Sequence, residues 1–379
     1  MKRVVLALLV AAVLGTTATA RAPHRKIVIP DTREFKVLKC DFHVHTLFSD
    51  GWVWPAVRVQ EAANEGLDAI AITDHIEHRP WQHLVKGDHN KAHDVAMGKE
   101  RDEQFLMPGE EVLVIRGAEV SRDMPPGHWN AIFTRDNNPL ETESYRDAFD
   151  EARRQGAFLF WSQPGWSSQA PNETIWYPEH EKLWKQGYMM GIEVFNPFDG
   201  YYPEAFRWAL DKNLTIFCNT DTHWPMDQHY DYEAGEHRPV TLVLAREKTE
   251  VGIREALEAR RTAAFAEDLI IGREEVVKPL FEAMLTVDYL HWEGGKAFIV
   301  LKNNSSLPIM LKKAPGSEHL VYKRRFIVRP GEEFKLPIAG LGGFDMATAQ
   351  VLDLNFFVDN FYVDAPEVPL RYCFRIERP

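Results

Sequence analysis

The chain has few cysteines, no excess of positive charge and no apolar run long enough to cross a bilayer. Its three cysteines, Cys40, Cys218 and Cys373, allow at most one bridge, which excludes a disulfide framework. The net charge of −12, from 44 basic and 56 acidic residues, does not suit bulk nucleic-acid binding. No apolar run reaches the roughly 20 residues of a membrane-spanning helix. We therefore expect a globular protein without a membrane span, in which Cys40 and Cys218 are buried as small apolar residues.

The N-terminus has the pattern of a targeting segment. Lys2 and Arg3 precede the apolar run Val4–Leu14, and Ala18-Thr19-Ala20 gives the small-x-small spacing of a cleavage site. We predict a signal peptide over residues 1–20 and an exported protein, which would be periplasmic in a Gram-negative host. An uncleaved anchor or a buried N-terminal helix is the alternative.

The first two thirds of the chain alternate short apolar runs with amphipathic stretches. The predicted strands are Val37–Val44, Ala69–Thr73, Val112–Val120, Trp129–Phe133, Ala157–Trp161, Gly191–Phe195 and Leu214–Asn219. The predicted helices are Pro55–Glu65, Ser144–Gln155, Pro203–Lys212 and Val251–Arg261. Regular alternation of strands and helices favours an α/β fold with parallel strands. About seven strands suit a closed or distorted barrel as well as an open sheet.

The pattern changes after about Gly272. Period-two alternation in Ala297–Leu301, Phe326–Val328 and Glu333–Leu336, with Gly and Pro turns between, predicts strands and no clear helix. Residues 281–379 contain 12 basic and 12 acidic side chains, so the charge deficit lies before them. We predict two domains, residues 21–274 and a small all-β sandwich over 275–379. The second would be a candidate for homodimer formation.

Metal-type ligands stand at the ends of four predicted strands. His43 and His45 lie two apart in the first strand and share a face, Asp74-His75 ends the second, Glu119 ends the third, and Asp221 and His223 follow a fourth. In a parallel α/β barrel the carboxyl ends of the strands meet at one face, where active sites assemble. The pattern predicts a metal site at that face.

These motifs resemble those of the PHP family, named for polymerase and histidinol phosphatase. The resemblance covers roughly residues 37–266 and includes Asp50 in Ser-Asp-Gly and the segment Gly191–Asn196. It implies a distorted (β/α)7 TIM-like barrel that holds two or three divalent metals for phosphoester hydrolysis. It also implies that His43, His45, Glu119 and Asp221 bind the first metal, that Glu119 and His128 bind the second, and that Asp50, His75 and His223 bind the third. Glu119, Asp221 and His223 would then be the catalytic residues.

The ligand types agree with this chemistry. A metal-bound water has its pKa lowered towards 7, and two metals neutralise the charge that develops on a phosphoryl group. Mixed imidazole and carboxylate ligands suit Zn, Mn or Fe, do not distinguish among these three, and argue against Ca.

Two further residues are predicted to contact the substrate. Gln163 stands where the family usually has a histidine, and an amide is the poorer ligand, so either the second metal site is depleted or Gln163 binds substrate. Arg238 would clamp a phosphate or would be a surface arginine before a strand. Five tryptophans flank the ligand motifs, either as a sugar-stacking wall or as barrel packing: Trp52, Trp54, Trp129, Trp161 and Trp166.

Three functions are consistent with the sequence. The leading hypothesis is an exported metal-dependent phosphoesterase that acts on a small, anionic, phosphorylated substrate. The second is a metal-dependent hydrolase of an amide or lactone, and the third is a protein in which the metals organise ligand capture without turnover.

Overall fold

The computed structural model describes residues 26–98, 112–293 and 295–378. The predicted signal peptide, residues 1–20, lies outside the described residues and stays a prediction. None of the described helices is both long and apolar enough to span a bilayer. Cys40 and Cys218 are buried and free, as expected, and Cys373 is free and exposed.

The first part of the chain alternates strands and helices. Its strands are β1 (Lys36–Val44), β2 (Ala69–Ile72), β3 (Leu113–Val120), β4 (Trp129–Ile132), β5 (Phe158–Trp161), β6 (Gly191–Asn196), β7 (Gly200–Tyr201), β8 (Thr215–Cys218), β9 (Val240–Ala245), β10 (Thr262–Ala266) and β11 (Leu269–Gly272). Its α-helices are α1 (Pro55–Asn64), α2 (Lys91–Ala96), α3 (Tyr145–Gln155), α4 (Pro178–Lys185), α5 (Pro203–Asp211) and α6 (Glu250–Glu258). All seven predicted strands and all four predicted helices are present, with boundaries shifted by a few residues.

Local sequence explains where the helices begin and end. Pro55 occupies the first turn of α1, where its missing N–H costs nothing. Ser144 caps α3 by accepting a hydrogen bond from the Arg146 backbone, and Gly156 ends that helix in the left-handed conformation (φ 80°).

The strand directions differ in part from the expected parallel arrangement. Strands β1, β2 and β3 are parallel, and β6 is parallel to β5 and β8. Strand β4 lies between these two groups and is antiparallel to both β3 and β5. Strand β9 is antiparallel to β1 and to β10. Antiparallel neighbours need only short connections, whereas parallel ones need a helical crossover.

Strands β8 and β9 are held together by hydrogen bonds from a side chain. The Thr241 hydroxyl accepts from the Cys218 amide and donates to the Cys218 carbonyl, both at 2.9 Å. In the described part of the chain no backbone ladder joins these two strands. The architecture is a mixed α/β fold built on a large sheet, and the closed barrel stays a prediction.

The second part of the chain is mainly β. It begins with a helix, α7 (Glu274–Met284), which contradicts the expectation of no helix after Gly272. Its strands are β12 (Leu285–Glu293), β13 (Lys296–Asn303), β14 (Ile309–Lys313), β15 (Leu320–Val321), β16 (Arg325–Val328), β17 (Glu333–Gly340), β18 (Val351–Val363) and β19 (Pro369–Glu377). Period-two alternation cannot reveal the apolar stripe of α7, which repeats every three to four residues.

Two sheets form this second part. Strands β12, β13, β17 and β15 make one sheet, and β14, β16, β18 and β19 belong to the other. Apolar residues of both sheets pack in one core, including Ile299 and Leu354. Strand β18 also pairs in parallel with β11, so the large sheet continues across the predicted boundary at residues 274/275.

Candidate metal centre

The ends of β1, β2, β3 and β8 meet at one place. The Asp221 amide donates to the His43 carbonyl at 2.9 Å, and the His45 amide donates to the Thr222 carbonyl at 3.1 Å. An isolated parallel β-bridge pairs the backbones of His75 and Glu119. Backbone contacts between strand ends thus bring the predicted ligands together, as the sequence led us to expect.

Four buried side-chain atoms point at a common centre. His43 Nε2 lies 3.3 Å from Glu119 Oε2 and 3.1 Å from Asp221 Oδ1. His45 Nε2 lies 3.3 Å and 3.0 Å from the same two oxygens. Although these contacts are close, none of the four atoms has a hydrogen-bond partner of acceptable geometry. Four unsatisfied buried ligand atoms in one cluster are costly unless something binds them.

The spacing of these atoms fits a metal ion. Four ligands about 2.0 Å from a tetrahedral centre lie roughly 3.3 Å from one another. The distances of 3.0–3.3 Å between the imidazole nitrogens and carboxylate oxygens match that value. Two imidazoles and two carboxylates also form an ordinary donor set for Zn, Mn or Fe. The residues present therefore fit a divalent metal.

Two further ligand groups adjoin the first. His75, Glu119 and His128 form one, in which His75 Nδ1 lies 3.1 Å from Glu119 Oε2 and His128 Nδ1 lies 3.0 Å from Glu119 Oε1. His45, Asp50, His75 and His223 form the other, in which Asp50 Oδ1 lies 3.2 Å from His223 Nε2 and 3.5 Å from His75 Nε2. The three groups together contain all eight predicted ligands, and Glu119 belongs to the first two.

The electrostatics of the cluster favour a cation. Burial lowers the pKa of His43 and His45, but the carboxylates of Asp221 and Glu119 outweigh it, so the pKa of His45 rises to about 10 and that of His43 also rises. Burial dominates at His75 and lowers its pKa to about 3. Burial raises the pKa of Glu119, but the surrounding imidazoles, His75 first, lower it overall. Carboxylates that draw protons onto buried imidazoles would hold a metal ion in the same way.

Glu193 orients His43 and was not predicted. Its Oε1 accepts from His43 Nδ1 at 3.0 Å and from Asn219 Nδ2 at 2.9 Å, and its side chain is fully buried. A histidine that donates from Nδ1 directs the lone pair of Nε2 towards the metal position. The signal was present in the sequence, since an acidic residue within the apolar strand β6 requires a buried partner.

Gln163 contacts Asp221 rather than open solvent. Its amide nitrogen donates to Asp221 Oδ2, its backbone N–H donates to Glu193 Oε2 at 3.0 Å, and its side chain is largely buried. Gln163 and Asp221 both adopt left-handed backbone conformations, with φ 50° and 51°. Such conformations are uncommon outside glycine and cluster at functional sites. Gln163 thus holds the outer oxygen of Asp221 and leaves Oδ1 facing the centre.

Arg238 does not reach the site, which contradicts its predicted contact with a phosphate. The side chain is 2% exposed, makes two hydrogen bonds to Glu65 (2.7 and 3.0 Å) and lies 3.3 Å from Asp41. Asp41 in turn accepts from the Thr220 hydroxyl at 2.7 Å. A buried guanidinium needs carboxylate partners, and Arg238 has two in Glu65 and Asp41. Through Asp41 and Thr220 it supports the segment before Asp221.

Arg58 and Gly51 also shape the site. Arg58, buried in α1, donates to the carbonyls of His45 (2.9 Å), Thr222 (3.2 Å) and Trp224 (2.8 Å), which ties β1 to the segment after β8. A Cβ on Gly51 would lie 2.8 Å from the Thr46 nitrogen, so glycine is required where the Ser-Asp-Gly turn crosses the backbone.

Comparison with known proteins finds a similarity that extends over most of the chain. A two-domain protein from Bacteroides vulgatus that contains a predicted PHP-like metal-dependent phosphoesterase is 44% identical in its solved structure, which covers 93% of this chain and 98% of that chain with a TM-score of 0.85. An amidohydrolase from Chromobacterium violaceum is 15% identical in its solved structure, which covers 60% of this chain and 97% of that chain with a TM-score of 0.38.

Two other comparisons give less. An uncharacterized protein of Methanocaldococcus jannaschii is 33% identical over 89 residues, which are 24% of this chain and 36% of that protein. The match thus spans about a third of that relative. No protein-family model matches the chain.

Proposed function

This chain belongs to the PHP-like family of metal-dependent phosphoesterases and is a metal-dependent hydrolase, and we propose that it hydrolyses a small phosphomonoester or phosphodiester. The observation that carries the proposal is a set of four buried ligand atoms at the strand ends that have no hydrogen-bond partners. Their imidazole nitrogens lie 3.0–3.3 Å from their carboxylate oxygens. A site of this kind supplies both an activated water and neutralisation of phosphoryl charge.

The metal-binding roles follow the three groups. His43, His45, Glu119 and Asp221 would hold the first metal, Glu119 would share a second with His128 and His75, and Asp50, His75 and His223 would hold a third beside His45. When bound, the metals supply an activated water and stabilise the negative charge of the phosphoryl oxygens. Two or three ions of Zn, Mn or Fe agree with this donor set.

The protein supplies orientation and protection from solvent. Glu193 fixes the ring of His43, and Gln163 and Asn196 both donate to Asp221 Oδ2, the latter at 3.4 Å. Glu119 is fully buried, so its charge acts at short range and is little screened by solvent. Glu119, Asp221 and His223 are the residues to which we assign the catalytic role, through the metals that they hold.

Export, the substrate and a homodimer through the C-terminal strands are further parts of the proposal. The basic, apolar and small-residue pattern of residues 1–20 supports export, and the periplasm would be the destination in a Gram-negative cell. Cell fractionation with N-terminal sequencing of the mature chain would test export, and sedimentation of the purified protein would test the dimer.

Elemental analysis and a substrate panel test the central proposal. Protein purified without chelator should contain at least one tightly bound transition metal per chain, because four protein ligands complete a coordination shell. With added Mn, Zn or Fe it should hydrolyse phosphomonoesters or phosphodiesters faster than carboxylic esters, lactones or amides. Folded protein without metal would overturn the site assignment. Turnover of amides or lactones alone would overturn the phosphoester proposal, and no turnover with any metal would favour ligand capture.

A further inference from the structure

Aromatic side chains are exposed beside one ligand of the candidate metal centre. Trp52 is 51% exposed, Trp224 is 41% exposed and Phe198 is 51% exposed. The rings of Trp52 and Trp224 stack with centroids 5.0 Å apart and planes 14° apart, and Trp81 meets Trp52 edge-on at 4.8 Å. We call these four residues the aromatic surface.

Exposure distinguishes Trp52 and Trp224 from the fully buried tryptophans near the ligand motifs, while Trp54, which is 42% exposed, packs its ring on Phe48 instead. Trp129 and Trp161 are fully buried, so packing accounts for them. A tryptophan buries as much as 250 Å² when it is packed, and leaving two of them half exposed in one stack forgoes that stabilisation. Clustered exposed apolar side chains of this kind mark binding sites.

The aromatic surface converges on His223. The Trp52 amide donates to the His223 carbonyl at 2.7 Å, Trp224 follows His223 in the chain, and the Phe198 ring lies 6.3 Å from the His223 ring. Trp52 is also two residues from Asp50, whose carboxylate lies 3.2 Å from His223 Nε2. A phosphoester held at the ligand groups would therefore place its organic part beside these rings.

Two arginines near the site are occupied by protein partners. Arg79 donates to the carbonyls of Phe48 at 3.1 Å and Gly87 at 2.7 Å. Arg122 pairs with Glu77 and donates to the Thr142 carbonyl at 2.9 Å. Within the described residues, the surface next to His223 thus offers flat apolar faces rather than these cations.

We infer that the aromatic surface is a subsite for a ring with an apolar face, aryl or sugar, that is carried by the phosphoester substrate. The inference rests on the proposed function, since it assumes that a phosphoryl group occupies the metal centre. A ring that stacks on Trp52 or Trp224 gains dispersion and excludes water from both faces. The subsite would set the substrate class, while the metal ligands set the reaction.

Binding of phosphonates to the metal-loaded protein tests the subsite without turnover. Benzylphosphonate represents an aryl ring, a glucosyl phosphonate represents a sugar ring, and ethylphosphonate has no ring. Calorimetry on the wild type should show at least one ring-bearing ligand binding several-fold tighter than ethylphosphonate. Trp52→Ala and Trp224→Ala should each weaken that ligand by about 2- to 10-fold and leave ethylphosphonate unchanged. The ring-bearing ligand that binds more tightly shows whether the substrate ring is an aryl group or a sugar.

Control variants separate stacking from general damage. Trp54→Ala removes another exposed tryptophan of the same segment, one whose ring packs on Phe48 at 5.5 Å, and should leave both affinities unchanged. Trp52→Phe and Trp224→Phe keep a ring and should retain most of the preference. Equal wild-type affinity for ringed and ringless ligands would overturn the inference, and so would equal weakening of both by the alanine variants.

The result is distinguishable from failure of the proposed function. Ring preference without hydrolysis of any phosphoester would refute the phosphoesterase proposal and keep the subsite. Hydrolysis of phosphoesters without ring preference would keep the proposed function and refute the subsite. The wild-type affinity ratio needs no variant, so it decides the question even where an alanine variant folds poorly.

Discussion

The two parts of the chain bury different kinds of side chain. In the part up to Met284 the described buried residues include many ionisable ones: Asp41, His43, His45, Arg58, Glu65, His75, His93, Glu119, His180, Glu193, Asp221 and Arg238. Beyond Met284 the described buried polar residues are neutral: Asn303, Ser305, Ser317 and Asn360. Both parts contribute to one continuous apolar core.

This difference in buried polar residues indicates which of them stabilise the fold and which of them form a binding site. The buried Asn and Ser side chains of the C-terminal part hydrogen-bond to one another and to nearby carbonyls, as buried groups must. Near the strand ends, by contrast, atoms of His43, His45, Asp50, Glu119 and Asp221 lack partners. Such an arrangement costs stability on its own and is retained where a ligand offsets it. Substitutions in the two parts should therefore have opposite consequences for activity and stability.

The largest expected effect is from Glu119→Gln, which should lower phosphoesterase activity by at least about 100-fold, since even the loss of a group that only hydrogen-bonds to a metal ligand costs up to that much. An amide cannot supply the negative charge that two metals share. Cys218→Ala, a change in the same region at a fully buried apolar position, should keep most of the activity. Steady-state kinetics and elemental analysis of both variants give the comparison. Equal losses at unchanged stability would mean that the catalytic centre lies elsewhere.

Asn303→Ala should show the reverse behaviour in the C-terminal strands. The Asn303 side chain donates to the carbonyls of Leu307 (2.7 Å) and Val328 (2.9 Å) and accepts from Ser305. Its removal leaves these groups unsatisfied and should lower the free energy of unfolding by about 2–4 kcal/mol. Urea denaturation measures the loss, and metal content should not change. Asn304→Ala, which breaks one hydrogen bond to Thr286, is the matched control and should cost about 1 kcal/mol or less.

Glu193→Gln should weaken metal binding without removing a ligand. Glu193 holds His43 through Nδ1, and loss of a hydrogen-bond partner of a metal ligand typically costs 10- to 100-fold in metal affinity. Titration of metal-free protein with Zn or Mn, followed by calorimetry, would show the shift. Glu181→Gln, at a half-buried position of α4 that pairs with Lys185, is a charge-matched control that should bind metal as the wild type does. Unchanged affinity in Glu193→Gln would remove its assigned role.

The smallest expected effect is from Gln163→His. Restoring the imidazole that the family usually has should tighten the most weakly bound metal by about 10-fold. The competing effect is the loss of the hydrogen bond to Asp221. Metal titration should show the weak site saturating at a lower concentration. Unchanged stoichiometry together with a raised KM would show instead that Gln163 contacts the substrate.

Much of the fold and the ligand set could be predicted because both depend on local patterns. Apolar runs marked the seven strands, and ligand-type residues at their ends marked the site, since neither signal needs distant information. Two residues that shape the site were missed because their partners are distant or are backbone groups. Glu193 acts on His43, which lies 150 residues away in the chain, and Arg58 donates to three backbone carbonyls. Arg238 was misassigned because sequence does not show that Glu65 and Asp41 neutralise it in the interior.

Seven strands of the first part, the start of α1 at Pro55 and the identity of the metal-type ligands could be predicted from the sequence, because they follow from residue chemistry and from spacing along the chain. Other features emerge only in the folded protein: strands β7, β9, β10 and β11, the directions of β4, β9 and β10, the continuation of the sheet from β11 into β18, and the set of polar atoms that face one centre. Those features depend on contacts between segments far apart in the chain, where burial makes pairing compulsory and so selects a single arrangement.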